Sequence, residues 1–286
     1  MFLVKEAVEL ARLAVNKTIV LERRERGRKG YGRLTALRLL VYALLVGIDK
    51  DEPLEKHLRR NRGVARALGF KRSIPDRTTI GRWKKKLDKI ARKAFEKQAS
   101  IVEMLAPAEL LVVDSTPLED WRDPEAEWGY YSRGPFKGFK VHVSVDQLGL
   151  PRKAVVTPGN RYDSPFLPEL IQGLGPKDII GDAAYDAESN RKACREIGAK
   201  PHIAKNPRRS GKRRYTPPLC KRKRYIVEQF NSRFKEMLGE CWLWSKGLAK
   251  KTTIVYSALL AMNALALQAL LLNRPNLLRK IGIYRY

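Results

Sequence analysis

Two short apolar runs that each stop at an aspartate constrain this chain most: LLVVD, ending at Asp114, and IIGD, ending at Asp182. Unbroken apolar segments of this length, rich in Val and Ile, are strands covered on both faces. Such strands need helices on either side, and helical patterns alternate with short strands after residue 109. FKVHVSVD (139–146) sets Phe139, Val141, Val143 and Val145 against Lys140, His142, Ser144 and Asp146. That alternation predicts a strand with one solvated face. QLGLP and RKAVV follow it and close an antiparallel hairpin. Segments 164–175, 187–198 and 222–238 read as helices, and 178–182 and 200–205 as strands. The order β, ββ, α, β, α, β, α predicts an α/β (α+β mixed) fold, a mixed sheet flanked by helices.

The first 105 residues are different in kind. Helical patterns dominate, beginning with an amphipathic stretch over 1–26 that ends in ERRERGRKG, then a more buried helix over 34–48. Asp76 or Thr78 can cap a helix whose apolar positions are Ile80, Trp83, Leu87, Ile90 and Phe95. Two short helices and a turn before a basic helix resemble a helix-turn-helix. An all-helical packing region with a basic exterior is the favoured reading. The segment 254–272 is nearly long enough to cross a bilayer. Its Tyr256, Ser257, Asn263, Gln268 and many alanines favour a buried helix of a non-membrane protein.

Charge narrows the partner. Fifty-eight Lys and Arg against 30 Asp and Glu leave a net charge of +28, which seeks polyanions, nucleic acid first. Three cysteines, Cys194, Cys220 and Cys241, are far apart and form neither a CxxC pair nor a disulfide framework. A reducing cytoplasm fits, and the acidic Glu6 and Glu9 argue against a signal peptide.

Carboxylates are hard oxygen ligands suited to Mg²⁺ or Mn²⁺. Aspartates at the ends of neighbouring strands, joined by a helix-borne glutamate, can hold such ions beside a phosphodiester. Glu228 in RYIVEQFNSRFK is that glutamate. At about 100° per residue, Arg224, Glu228 and Lys235 line one helix face, with Ile226, Val227, Phe230 and Phe234 elsewhere. An i,i+4 Arg–Glu pair on a solvated face is the plainer alternative. Asp114, Asp182 and Glu228 are thus the candidate metal and catalytic residues. Lys137 and Lys140 in FKGFK are candidate phosphate contacts. So is the run Lys221, Arg222, Lys223, within a stretch from Lys205 to Arg224 that holds ten basic residues and no acidic one. That stretch is expected to be a mobile loop that orders on an anion. Asp186 reads as a helix cap, and Asp146 and Asp163 as turn residues. His142 reads as a surface histidine, and Trp242 and Trp244 as core. Trp121 and Trp128 suit either a base stack or a loop anchor.

VVDSTPL, KGFKVHVSVD, IIGDAAYD and the R-x3-E-x6-K spacing at Arg224, Glu228 and Lys235 together resemble the DDE-type insertion-sequence transposases, with a ribonuclease-H-like core. The resemblance covers about residues 109–240. It departs at Lys221, where the family often has tyrosine. It implies that Asp114, Asp182 and Glu228 bind Mg²⁺, that Mn²⁺ substitutes, and that Arg224 and Lys235 meet DNA near the cut. It implies binding of element ends, strand cleavage and strand transfer to target DNA by a homodimer in the DNA complex. A nuclease of the same fold without strand transfer, or an inactive DNA-binding relative, are the alternatives. The expected domains are 1–105 (helical, DNA-binding or oligomerisation), 106–245 (catalytic core) and 246–286 (C-terminal helices extending the core). Only 46 positions separate Asp182 from Glu228, so a compact core is expected.

Overall fold

The computed structural model describes residues 2–16, 31–131, 134–207 and 215–279. In chain order its helices are α1 (Phe2–Ala14), α2 (Arg33–Leu45), α3 (Asp51–Arg60), α4 (Arg62–Leu68), α5 (Arg77–Lys86), α6 (Asp88–Leu105), α7 (Leu167–Ile171), α8 (Glu188–Glu196), α9 (Pro218–Lys223), α10 (Tyr225–Leu238) and α11 (Leu248–Leu271). Its strands are β1 (Leu110–Glu119), β2 (Glu127–Tyr131), β3 (Gly134–Asp146), β4 (Pro151–Pro158), β5 (Asp178–Gly181) and β6 (Lys200–Ile203). The chain divides into two compact units, Met1–Gln98 with Arg233–Tyr286, and Ala99–Ser232.

The first unit is helical. Asp51 and Glu52 open α3, and His57, Arg59 and Arg60 close it, each sign at the pole of the helix dipole that favours it. α4 stops at Gly69, whose φ of 117° suits glycine, and an added Cβ would lie 2.8 Å from the Thr35 hydroxyl. Asp76 caps α5 by accepting from the Thr79 N–H at 2.7 Å. The one helix expected over the Ile80–Phe95 pattern is two, parted at Leu87, yet Ile80, Leu87 and Phe95 all stay buried. The connection from α4 to α5 runs from 69 to 76, longer than the three to four residues of a helix-turn-helix turn.

α11 has the length and apolarity to cross a membrane, but most of it is buried in this unit. It packs on α1, α2 and α5. An apolar helix buries itself where the largest apolar faces are, and α2, buried almost all round, offers one. The charged tail ERRERGRKG of the first predicted helix lies outside the described residues.

The second unit holds one six-stranded mixed sheet, ordered β2-β3-β1-β5-β6, with β4 also on β3. β1 and β3 are antiparallel, as are β3 and β4, while β5 runs parallel to β1 and β6 to β5. This is the mixed sheet flanked by helices that the resemblance implies. β3 organises it. One edge of β3 pairs with β1; the other is shared, residues 134–138 with β2 and residues from Phe139 to Val145 with β4. Gly138 permits the crowding at that change of partner, since a Cβ there would meet the Leu118 carbonyl oxygen at 2.1 Å.

β3 also corrects the expectation of a solvated face. Residues from Gly138 to Asp146 are all buried, because β4 and the segment after it together supply partners to the polar side. Lys140 donates to Asp163 and the Arg161 carbonyl, both at 3.1 Å. His142 shares a hydrogen bond with Thr157 and stacks on Phe166. Ser144 donates to the Leu170 carbonyl at 2.7 Å. Asp146 caps the β-turn, accepting from the N–H groups of Leu148 and Leu150, and pairs with the buried Arg152, which also reaches Glu103 at 3.2 Å. Arg152→Met leaves Asp146 buried without its cation. Urea denaturation should then show a stability loss of about 3–5 kcal/mol; an unchanged midpoint would refute the pair's structural role.

Candidate active site

Strand register builds the acidic site. β1 and β5 pair in parallel from Leu110↔Asp178 to Val113↔Gly181. Asp114 and Asp182 each follow the last pair, so they stand side by side. Side chains alternate along strands and directly paired residues share a face. Both aspartates therefore project on the face of Val112 and Ile180, opposite the apolar cluster around Leu111, Val113 and Ile179. Asp182 is then fixed by the turn it starts, its carboxylate accepting from the Ala184 N–H at 2.9 Å.

α10 supplies the other side. Asn231 donates to Asp114 at 3.4 Å. Arg224, at the junction of α9 and α10, spans two acids: its guanidinium lies 3.6 Å from Asp182 and 3.8 Å from Glu228. Glu228 is 65% exposed, so packing does not lock its three side-chain torsions. The structure thus brings Asp114 and Asp182 together and reaches Glu228 through Arg224. Among the described residues, no group of three or more His, Cys, Asp or Glu side chains is close enough to hold a metal ion.

The electrostatics follow from this crowding. Burial, then the Asp182 charge, pushes the Asp114 carboxyl up to about 7, against the opposing pull of Arg224 and the Ser115 N–H. Asp163 adds to the same field. Tyr185, fully buried, is held well above the ordinary phenol range by burial first and then by Asp114, Asp163 and Asp182. A half-buried carboxylate pair offering only oxygen donors is the donor set a hard divalent cation fits.

The remaining candidates divide. Lys221, Arg222 and Lys223 lie exposed on α9, so that part of the basic stretch is helix, not loop; residues 208–214 lie outside the described set. Lys235 is exposed on α10, about two turns beyond Glu228, and Lys137 is partly exposed on β3. Lys140 is a correction: it is 7% exposed and paired with Asp163, which suits a structural cation and not a phosphate contact. His142 is another. It is fully buried, and burial pushes its imidazole down to about 4, so it stays neutral. Asp186 does not cap α8; it pairs with Arg191 at 2.6 Å and accepts from the Asn206 N–H. Trp244 is exposed beneath the Lys50 ammonium. Trp121 and Trp128 form an edge-to-face pair, each 55% exposed. Sequence reasoning missed Asn231 and Asp163. Asn231 had a signal, lying three residues after Glu228 on one helix face; Asp163 had none, since only the fold carries it to the site.

Comparison with known proteins decides the family. The chain matches the family described as Transposase DDE domain over residues 105–264, more than half its length. The chain belongs to the DDE transposase family. Residues 3–86 match a second family, Transposase domain (DUF772). A protein of Brucella ovis named for the transposase of insertion sequence element IS6501 is 35% identical over 106 residues, which span 36% of this chain and 82% of that relative. A protein of Burkholderia cepacia named for the transposase of element IS402 is 31% identical over 96 residues, spanning 27% of this chain and 46% of that one. A solved piggyBac transposase synaptic complex with hairpin DNA superposes with a TM-score of 0.42 at 14% identity, covering 96% of this chain and 76% of that one. That likeness is too distant to bear on this chain.

Asp114 also predicts a pH dependence. Its folded value, about 7, exceeds its ordinary 3.8. Between those values the folded state holds a proton that the unfolded state has lost, so its contribution to stability falls as pH rises through that window. Thermal unfolding without divalent ions should show this decline, and Asp114→Asn should flatten it; equal slopes would remove Asp114 as its source.

Proposed function

We propose that this protein is a cytoplasmic DNA transposase that binds element ends, cleaves a strand there and joins it to target DNA, the freed 3′-hydroxyl attacking a target phosphodiester and expelling the target strand's own 3′-oxygen. What supports the reading is the placement of Asp114 and Asp182 on one face of adjacent parallel strands, with Arg224 linking Asp182 to Glu228. Asp114, Asp182 and Glu228 would hold Mg²⁺, with Mn²⁺ as substitute. Bound divalent ions would activate a water or a 3′-hydroxyl and stabilise the leaving oxygen of the phosphodiester.

The chain's own groups prepare that event. Rigid strand ends orient Asp114 and Asp182, and the 3₁₀ turn held by the Ala184 N–H keeps Asp182 from rotating away. Asn231 steadies the Asp114 carboxylate. Arg224 keeps the acids from repelling one another before DNA arrives. Its fork then suits the phosphate it would meet. Lys235, Lys137, Lys221, Arg222 and Lys223 supply positive charge along the strand's path. Pairing two element ends calls for two protomers, so a homodimer on DNA is the working assembly.

Nicking assays with Mg²⁺ test the site. Asp114→Asn, Asp182→Asn and Glu228→Gln should each abolish nicking while duplex affinity changes little; any of the three cleaving like the wild type would exclude that residue. Pre-cut ends offered with target DNA test the second half, and failure to join them would leave a nuclease without strand transfer.

A further inference from the structure

We propose that the helical unit carries a phosphate clamp for the backbone of duplex DNA, built by Arg62 and Arg66 of α4 and by Lys71 and Arg72 of the loop after it. These four side chains, with Arg59 and Ser73, line a concavity of about 330 Å³. Arg62 and Arg66 are four residues apart, on one side of their helix. α4 then ends at Gly69, and the left-handed turn brings Lys71 and Arg72 back to the same hollow.

Charge in the hollow is uncompensated. Arg59 is committed to Glu55 at 2.8 Å. Arg62, Arg66, Lys71 and Arg72 are exposed, and none has an ion-pair partner among the described residues. Four cations gathered on a concave surface without an acid make an anion site in waiting.

The loop is also pre-organised. Phe70 is buried and stacked on Trp83, with Tyr31 edge-on to both rings. The Tyr31 and Ser73 hydroxyls lie 2.8 Å apart, and the Phe70 N–H bonds to the Ala65 carbonyl at 2.9 Å. The chain is thus pinned on both sides of Lys71 and Arg72, which lowers the ordering cost of binding. The polar lining is cationic, guanidinium and ammonium groups with one hydroxyl. On phosphate oxygens such groups position DNA without reading its sequence, whereas on guanine edges they would read it, so an equal loss on unrelated sequences marks the phosphate role. This inference rests on the DNA-directed reading above but not on its catalytic part.

The test is duplex binding by the full chain over a range of salt, on two duplexes of unrelated sequence. Arg66→Gln with Arg72→Gln removes two contacts. The slope of log K against log salt should become shallower by about 1.8, equally on both duplexes. Lys56→Gln with Lys192→Gln removes the same charge from exposed lysines already paired with Glu52 and Glu196, and should leave the slope near wild type. Arg66→Lys with Arg72→Lys keeps the charge and should keep most of the slope, which separates lost contacts from lost folding. A glutamine variant that tracks the lysine control overturns the clamp alone. A wild-type chain that ignores duplex DNA overturns the DNA reading with it. A glutamine variant that keeps DNA binding but loses binding to phosphatidylserine vesicles assigns the hollow to a lipid surface and overturns the proposal.

Discussion

Parallel pairing of β1 with β5 is the constraint from which the site follows. Once Val113 faces Gly181, the next residue on each strand must be its neighbour's neighbour, on the same face, one interstrand spacing away. Both of those residues are aspartates. Placing two carboxylates so close, both only partly open to water, works against folding, and burial first, then the Asp182 charge, raises Asp114 to about 7. The chain relieves it only in part. Arg224 approaches Asp182, Asn231 donates to Asp114, and the Ser115 N–H helps. A site in this state holds a standing attraction for cations. Arg224 serves as the resident one, and because it also contacts Glu228, it ties the helix to the strand ends.

The reverse of the sheet explains why those ends stay where they are. β3 borders β1 along its whole length, and the groups of its polar face find their partners on β4 and on the segment after it. Each polar group found a specific partner there: Lys140 with Asp163, His142 with Thr157, Ser144 with a carbonyl, Asp146 with Arg152. Buried polar groups paired in this way favour one arrangement, since a slip of register would part them from their partners. Asp163 works twice. It neutralises Lys140, and its charge reaches Asp114. The rigidity of the platform and the field at the site are therefore coupled through one residue.

In the helical unit, the same physics divides inside from outside. α11 and α2 take the apolar interior, and even there Lys251 finds the Trp242 carbonyl and Lys84 finds Asp51. Charge that cannot be paired is moved outward, and on α4 and its following loop it collects in a hollow. The large positive balance of the chain thus has local addresses as well as a global sum.

Composition and local pattern alone determined the helical start and the mixed sheet, and they carry the proposal of a polyanion partner and of three acids with their arginine and lysine. Those features depend on nearest neighbours in the chain: apolar runs, caps, helical spacing. Burial was decided only in three dimensions. The alternation in FKVHVSVD is the same whether its polar face meets water or a folded-back segment, so Lys140 and His142 were misread as exposed. Likewise nothing local says on which helices α11 will lie, that Asp163 will come near Asp114, or that Arg224 will stand between Asp182 and Glu228. Contacts between residues distant in the chain depend on how elements stack, and only the assembled sheet and helices supply that information.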